Sequence, residues 1–167
     1  RVSNPNRSVV SVDALLTISC LGNSIAVALD TLVLPNSVTN NSVLDYTISG
    51  TGKISSAAWL TKLGSSTLTL STINDYTGPT TVSEGALLVN GAIGSGAVTV
   101  EGTGTLGGNG AIGGNITVKS GGLLAPGASL GTVGTLTVGG KNVTLKDGSI
   151  TAVEVNRSGP VSDRVTG

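Results

Sequence analysis

Short runs of alternating polar and apolar residues recur along the chain, with turn residues between them. The clearest runs lie at residues 67–70, 80–82 and 86–89. The turn residues that separate them are Asn74-Asp75, Gly78-Pro79 and Glu84-Gly85. Short β-favouring runs bounded by Gly, Pro, Asn and Asp are typical of strands joined by tight turns. We therefore predict three strands here, and the same pattern continues to about Val155 without a helical interval.

The first fifty residues carry a weaker form of this pattern. Residues 15–21, 25–34 and 43–49 are β-rich, and residues 1–12 are polar and include Pro5, which suits an arm or an edge strand. Turns are predicted at Gly22-Asn23, Pro35-Asn36 and Asn40-Asn41. We divide the chain into a segment 1–52, which forms the first coils or a cap or assembly arm, and a repeat region 53–167.

The last apolar residues of successive strands recur at nearly constant spacing. Leu70 and Val89 are 19 residues apart, Val100 and Val118 are 18 apart, and Val118 and Val138 are 20 apart. A recurring interval near 20 without helical periodicity indicates a solenoid whose full turn, or coil, takes that many residues. Inward Leu and Val would then stack from coil to coil, and outward Thr and Ser would form hydroxyl ladders. An antiparallel sandwich is the alternative, but it needs regular two-residue hairpins, and the glycine pairs fall too densely for those.

Glycine positions support this interpretation. Sharp corners often require positive φ, which glycine adopts without strain. We therefore predict corners at a set of twelve glycines: Gly85, Gly91, Gly94, Gly96, Gly102, Gly104, Gly107, Gly108, Gly113, Gly114, Gly121 and Gly122.

Composition excludes several classes of function. The chain has 26 Gly, one Trp, two Tyr and no Phe, Met or His, so its core must be thin and aliphatic. Nine basic residues balance nine acidic ones and form no stripe, which argues against nucleic acid as a partner. Asp13 and Asp30 interrupt the apolar region near the N-terminus, so we predict no membrane span in this chain. The single cysteine, Cys20, cannot form an intrachain disulfide.

Candidate chemistry is sparse, and we predict no catalytic residue, no cofactor and no metal site. Residues 102–107 fit G-x-G-x-x-G, but no helix follows, so these glycines are better explained as corners. Without His, zinc sites and Ser–His pairs have no ligand or base. Glu84, Glu101 and Lys119 recur about once per coil and predict a solvated charge ladder. A polysaccharide-acting enzyme would need paired or clustered acids in one groove.

Trp59 and Tyr76 are the candidate surface-binding residues, because a glycan-binding groove displays aromatic side chains. Each also has a structural interpretation. Tyr76 precedes a predicted corner and would pack over a coil edge, and Trp59 would cap the interior where the repeat region begins.

The region 60–91 contains LTKLG at 60–64, TLTL at 67–70, DYTGPTTV at 75–82 and GALLVNG at 85–91. This succession resembles the passenger-associated β-strand repeat of bacterial autotransporters, and the resemblance covers about residues 50–165. Its repeat-motif residues are Tyr76, Thr77, Gly78, Thr80, Thr81 and Val82. Segments at 104–110, 114–118, 122–127, 134–138 and 152–165 resemble the stretch that commonly follows. Ser66 departs from the usual glycine, and no β-barrel sequence follows the SDRV segment at 162–165.

The resemblance implies an all-β fold, a right-handed parallel β-helix (β-solenoid) forming a single elongated domain. It also implies an extracellular or bacterial cell-surface protein that is structural and not an enzyme. Open strand edges at both ends of such a rod invite pairing, so we expect self-association end to end into a stalk or fibre. The alternative is an adhesin passenger fragment that binds a host or matrix glycan or protein.

Overall fold

The computed structural model describes residues 16–18, 24–156 and 161–167. All the regular elements in these ranges are strands. Within this described part of the chain no helix is long and apolar enough to cross a membrane. The polar arm predicted at residues 1–12 and Cys20 lie outside the described residues.

The described residues form short strands in a regular succession. In chain order they are β1 (Leu16–Ile18), β2 (Ile25–Ala28), β3 (Leu32–Val33), β4 (Ser37–Asn41), β5 (Tyr46–Ser49), β6 (Lys53–Ile54), β7 (Trp59–Leu63), β8 (Thr67–Leu70), β9 (Thr80–Val89), β10 (Ala92–Ile93), β11 (Val98–Gly108), β12 (Ala111–Ile112), β13 (Ile116–Val118), β14 (Leu123–Pro126), β15 (Thr135–Val138), β16 (Val143–Leu145), β17 (Ile150–Thr151), β18 (Val155–Asn156), β19 (Val161–Ser162) and β20 (Arg164–Thr166).

Almost every strand pairs in parallel with the equivalent strand of the next coil. On the first face the order is β1, β4, β7, β9, β11, β13 and β16. The second face stacks β2, β5, β8, the ends of β9 and β11, then β14 and β17. The third face pairs β3 with β6 and stacks β10, β12, β15 and β20. Among the described strands, β18 and β19 are the antiparallel pair. The predicted parallel β-solenoid is confirmed, and the antiparallel sandwich is wrong.

The interior consists mainly of aliphatic side chains, stacked in columns along each face. Leu70 pairs with Val89 and Val100 with Val118, which confirms two of the three predicted intervals. The third is wrong, because Val118 pairs with Leu145 and Val138 belongs to the third face. The chain between β13 and β16 takes a longer path than the coils before it, so the interval from Val118 is 27 residues instead of 20.

Two of the predicted turns are wrong. β9 runs continuously through Glu84-Gly85, and Gly85, with φ of 65°, bends the strand between two faces without ending it. Asn40-Asn41 lies in β4, where Asn40 is buried at 2% exposure. Asn40 occupies an inward position of a coil, so its preference for turns is overridden. The run predicted at 67–70 coincides with β8.

The N-terminal strands join the same faces as the later ones. β4 pairs with β7, and β5 pairs with β8. The predicted run 25–34 divides into β2 and β3, and the run 43–49 contributes β5. The division of the chain at residue 52 stays a prediction.

Most of the predicted corner glycines are required for close packing and not for positive φ. Of the predicted set, Gly85, Gly108 and Gly121 have positive φ. Gly78, Gly96 and Gly114 instead form a column in which consecutive backbones touch. A Cβ on Gly96 would overlap the carbonyl oxygen of Gly78, and one on Gly114 would overlap that of Gly96. The prediction of positive φ is therefore wrong for the others in the set.

Candidate functional site

A column of threonines runs along the first face. The register matches Thr17, Thr39, Thr61, Thr81, Thr99, Thr117 and Thr144. We call it the threonine ladder. Its members from Thr39 to Thr117 are partly exposed, and neighbouring strands lie about 4.8 Å apart. The predicted outward hydroxyl ladder is confirmed on this face.

The repeat-motif residues form a corner and the strand after it. The hydroxyl of Tyr76 shares a hydrogen bond of 2.8 Å with Thr80 Oγ1. Burial raises the pKa of Tyr76 to about 12, although the bond to Thr80 opposes this. Thr77 N–H donates to the carbonyl of Ser56 in the preceding coil at 2.9 Å. The other members are Gly78 in the glycine column, Thr81 in the threonine ladder and Val82 in the interior.

The two candidate surface-binding residues lie in different environments. Trp59 is 52% exposed at the start of β7, whereas Tyr76 is 1% exposed. A ring buried to that degree cannot stack on a glycan at the surface, so the surface-binding prediction is wrong for Tyr76. The prediction that Trp59 caps the interior is also wrong, because Trp59 occupies an outward position of β7.

A comparison with known protein families found a match in this region. Residues 60–89 match the family model described as passenger-associated-transport-repeat. The match begins in β7, includes β8 and ends with the last residue of β9, so this repeat covers the glycine bend and the Tyr76 corner. It confirms the resemblance over these residues. A search of curated proteins found no match.

The repeat contains a buried lysine that sequence analysis did not single out. Lys62 is fully buried, and its Nζ donates to the carbonyls of Leu63 and Gly64 at 2.7 Å each and to that of Glu84 at 3.3 Å. Gly85 leaves room for the amine, because a Cβ there would approach Nζ to 2.9 Å. The signal was present in the sequence, since Lys62 shares the alternation of the inward residue Leu60.

Burial has a large effect on this amine. It lowers the pKa of Lys62 to about 8, although the charges of Glu84 and Asp45 raise it. A lysine in this environment is partly neutral at a pH where an exposed lysine is fully protonated.

The predicted charge ladder forms only in part. Lys119 Nζ lies 2.8 Å from Glu101 Oε1, which confirms this step. Glu84 pairs instead with Thr103, because a bulge between Val100 and Thr103 shifts the register. Such bulges insert an extra residue into one strand, and simple counting along the sequence does not detect them.

A pair of acids joins three segments near the C-terminal end. Asp163 is buried and accepts hydrogen bonds from Gly134 N–H at 2.6 Å and Glu154 N–H at 2.9 Å. Burial alone would raise the pKa of Asp163, but the hydrogen bonds from Glu154 and Gly134 outweigh it and lower the pKa. The pKa of Glu154 is raised, and the largest cause is its side-chain hydrogen bond to Asp163. Nowhere in the described part of the chain do three His, Cys, Asp or Glu residues meet in a way that could hold a metal ion.

Replacing Asp163 by Asn should lower the stability in a pH-dependent way. One backbone N–H would lose its acceptor, which costs about 1–3 kcal/mol at neutral pH. Because the pKa of Asp163 is lower in the folded than in the unfolded chain, its stabilisation is present above the unfolded value of about 3.9 and is lost as the pH falls through the folded value. Urea unfolding of the wild type and of Asp163→Asn, compared at neutral and acidic pH, measures this difference.

Asp147→Asn is the matched control, because this carboxyl is exposed. It should unfold like the wild type at each pH. A difference between wild type and Asp163→Asn that stays constant down to strongly acidic pH would contradict the role given to Asp163.

Proposed function

We propose that this chain is an extracellular structural β-solenoid, the stalk-forming part of a bacterial surface or secreted protein. The observation that supports it most is that the residues matching the passenger-associated-transport-repeat lie within the continuous parallel stacks of the first and second faces. A stack of in-register strands with a thin, mainly aliphatic interior gives a long and stiff structure without bulky core side chains. The repeat belongs to passengers, which are exported.

The last layer of the solenoid supports self-association end to end. Leu145 continues the inward column of Val82, Val100 and Val118, yet it is 51% exposed. Val165 continues from Leu136 on the third face and is 41% exposed. Among the described strands, none covers this side of β16, β17 or β20. A further strand layer from a second copy would cover these side chains and pair with the open backbone.

A concentration series tests this assembly. The wild type should sediment as progressively longer species as concentration rises, and electron microscopy should show filaments. The variant Leu145→Lys/Val165→Lys should stay monomeric, because two ammonium groups would be buried in the contact. Ile150→Lys, at an outward position of the same layer that is 54% exposed, should still assemble. A wild type that remains a monodisperse monomer at high concentration would contradict end-to-end assembly while leaving the stalk role intact.

The exposure of Trp59 favours a second candidate, an adhesin that binds glycan along the first face. Trp59 precedes Thr61 of the threonine ladder by two residues, so the two lie on the same side of β7. The indole can stack on a sugar ring, and the neighbouring threonine hydroxyls can form hydrogen bonds with the hydroxyls of the sugar. On a glycan array Trp59→Ala should lose about tenfold in affinity, whereas Ile73→Ala, also exposed, should not. Absence of any glycan signal for the wild type would remove this candidate.

A further inference from the structure

Two polar side chains replace the aliphatic ones at two successive levels of one interior column. Asn40 on β4 and Lys62 on β7 are register partners, and their exposures are 2% and 0%. In the following coils the same column holds Val82, Val100 and Val118. Side chains at paired positions of neighbouring parallel strands stack on the same side of the sheet. The carboxamide of Asn40 and the lysine stem therefore lie one above the other inside the solenoid.

The carboxamide of Asn40 is unsatisfied. Neither its Oδ1 nor its Nδ2 has a hydrogen-bond partner. A buried polar group without a partner is costly, and folded proteins keep few of them unless the group has a further role. The neighbouring column member that carries a reactive group is Lys62.

The amine of Lys62 is in an environment that favours a nucleophile. Burial holds its pKa near 8, so the neutral form is accessible close to neutral pH. The carboxylates of Glu84 and Asp45 lie close enough to act on its charge. Both acids are exposed, so solvent reaches their carboxylates directly.

We propose that Lys62 Nζ and Asn40 Cγ join in an amide cross-link between β4 and β7. The neutral amine attacks Cγ and the Nζ–Cγ bond forms. The Cγ–Nδ2 bond breaks, and a proton from Nζ passes to Nδ2, which leaves as ammonia. No oxidant or further reactant is consumed. The amine must first turn from the carbonyls of Leu63 and Gly64 toward Asn40, and the flexible four-carbon stem of lysine can span the strand spacing of about 4.8 Å.

Such a bond would act as a staple across neighbouring coils. The chain has one cysteine, so it cannot use an intrachain disulfide for this purpose. The cross-link also removes an unsatisfied carboxamide and a buried amine in one step, and it closes the loop from residue 40 to residue 62, which restricts the unfolded chain as a disulfide does.

Intact mass spectrometry of the folded protein tests the cross-link. The wild type should be lighter than its sequence mass by one ammonia, and a digest should yield a branched peptide that joins the segments around Asn40 and Lys62. Asn40→Ala and Lys62→Ala should both have their full sequence masses. Asn40→Asp should lose water and reach the same final mass as the wild type. Lys53→Ala, an exposed lysine on β6, should keep the loss of ammonia.

A wild type at its full sequence mass after prolonged incubation in mildly alkaline buffer would overturn the proposal, and this measurement needs no variant. Succinimide formation at Asn90-Gly91 or Asn109-Gly110 also releases ammonia. A loss that maps to either of those sites, or that persists in Lys62→Ala, would overturn it equally.

Discussion

Replacing Gly96 by Ala should destabilise the protein by about 3 kcal/mol and lower the thermal midpoint by roughly 10 °C. The added methyl group would overlap the carbonyl oxygen of Gly78 in the preceding coil. The atom it meets is backbone, which cannot turn away as a flexible side chain can, so the two coils must separate locally. Gly114 lies above Gly96 in the same relation, so the disturbance also reaches the next coil. Urea and thermal unfolding followed by circular dichroism measure the effect.

Gly139→Ala is the matched control. A Cβ at Gly139 would meet nothing within 4 Å, and its φ is not in the positive range. We expect a change within about 0.5 kcal/mol. Equal losses for Gly96→Ala and Gly139→Ala would show that glycine acts here through backbone freedom and not through close packing.

The second large effect is expected for Leu87→Ala, with a loss of between about 2 and 5 kcal/mol. Leu87 is fully buried on the second face, between Leu68 and Leu106. Within such a column each side chain stacks on its equivalents in the coils on either side. The cavity left by truncation is therefore bounded by two rigid coils that cannot collapse into it. The free energy of unfolding from urea titration measures this loss.

Leu130→Ala provides the comparison, because this leucine is 50% exposed. Its loss should be below about 1 kcal/mol. A loss for Leu87→Ala no larger than that for Leu130→Ala would mean that the stacked column contributes little to stability, which would contradict the description of the interior.

The solenoid itself could be predicted from the sequence, because its signal is periodic and local. Strand β8 and the pairing of Leu70 with Val89 follow from alternation and spacing alone. The interval from Val118 could not be predicted, because the longer coil carries apolar residues at Val138 that imitate the next level of the stack. The spacing along the sequence shows that apolar residues recur at regular intervals, but it does not show on which of the three faces of the solenoid each one lies.

The candidate site was less accessible from sequence than the fold. Turn propensity assigned Asn40 to a loop, although its position two residues after Val38 places both on the inward side of β4. Lys62 lies within the LTKLG segment at 60–64, and the alternation of the strand directs it inward. Aromatic character made Tyr76 a surface candidate, but its hydroxyl finds a buried partner in Thr80. For Asn40 and Lys62 the alternation of the strand, and not the chemical type of the residue, determined the environment.

The pairing of each strand with the equivalent strand one coil away has a consequence for how the chain folds. Partners on the first face from β4 to β13 are between 18 and 22 residues apart, however long the whole rod is. The entropy lost in closing each turn is therefore nearly the same for the first coil as for the last, and it does not grow with the size of the protein. A polypeptide delivered gradually from one end could use each completed layer as the template for the next, so that its folding keeps pace with its delivery.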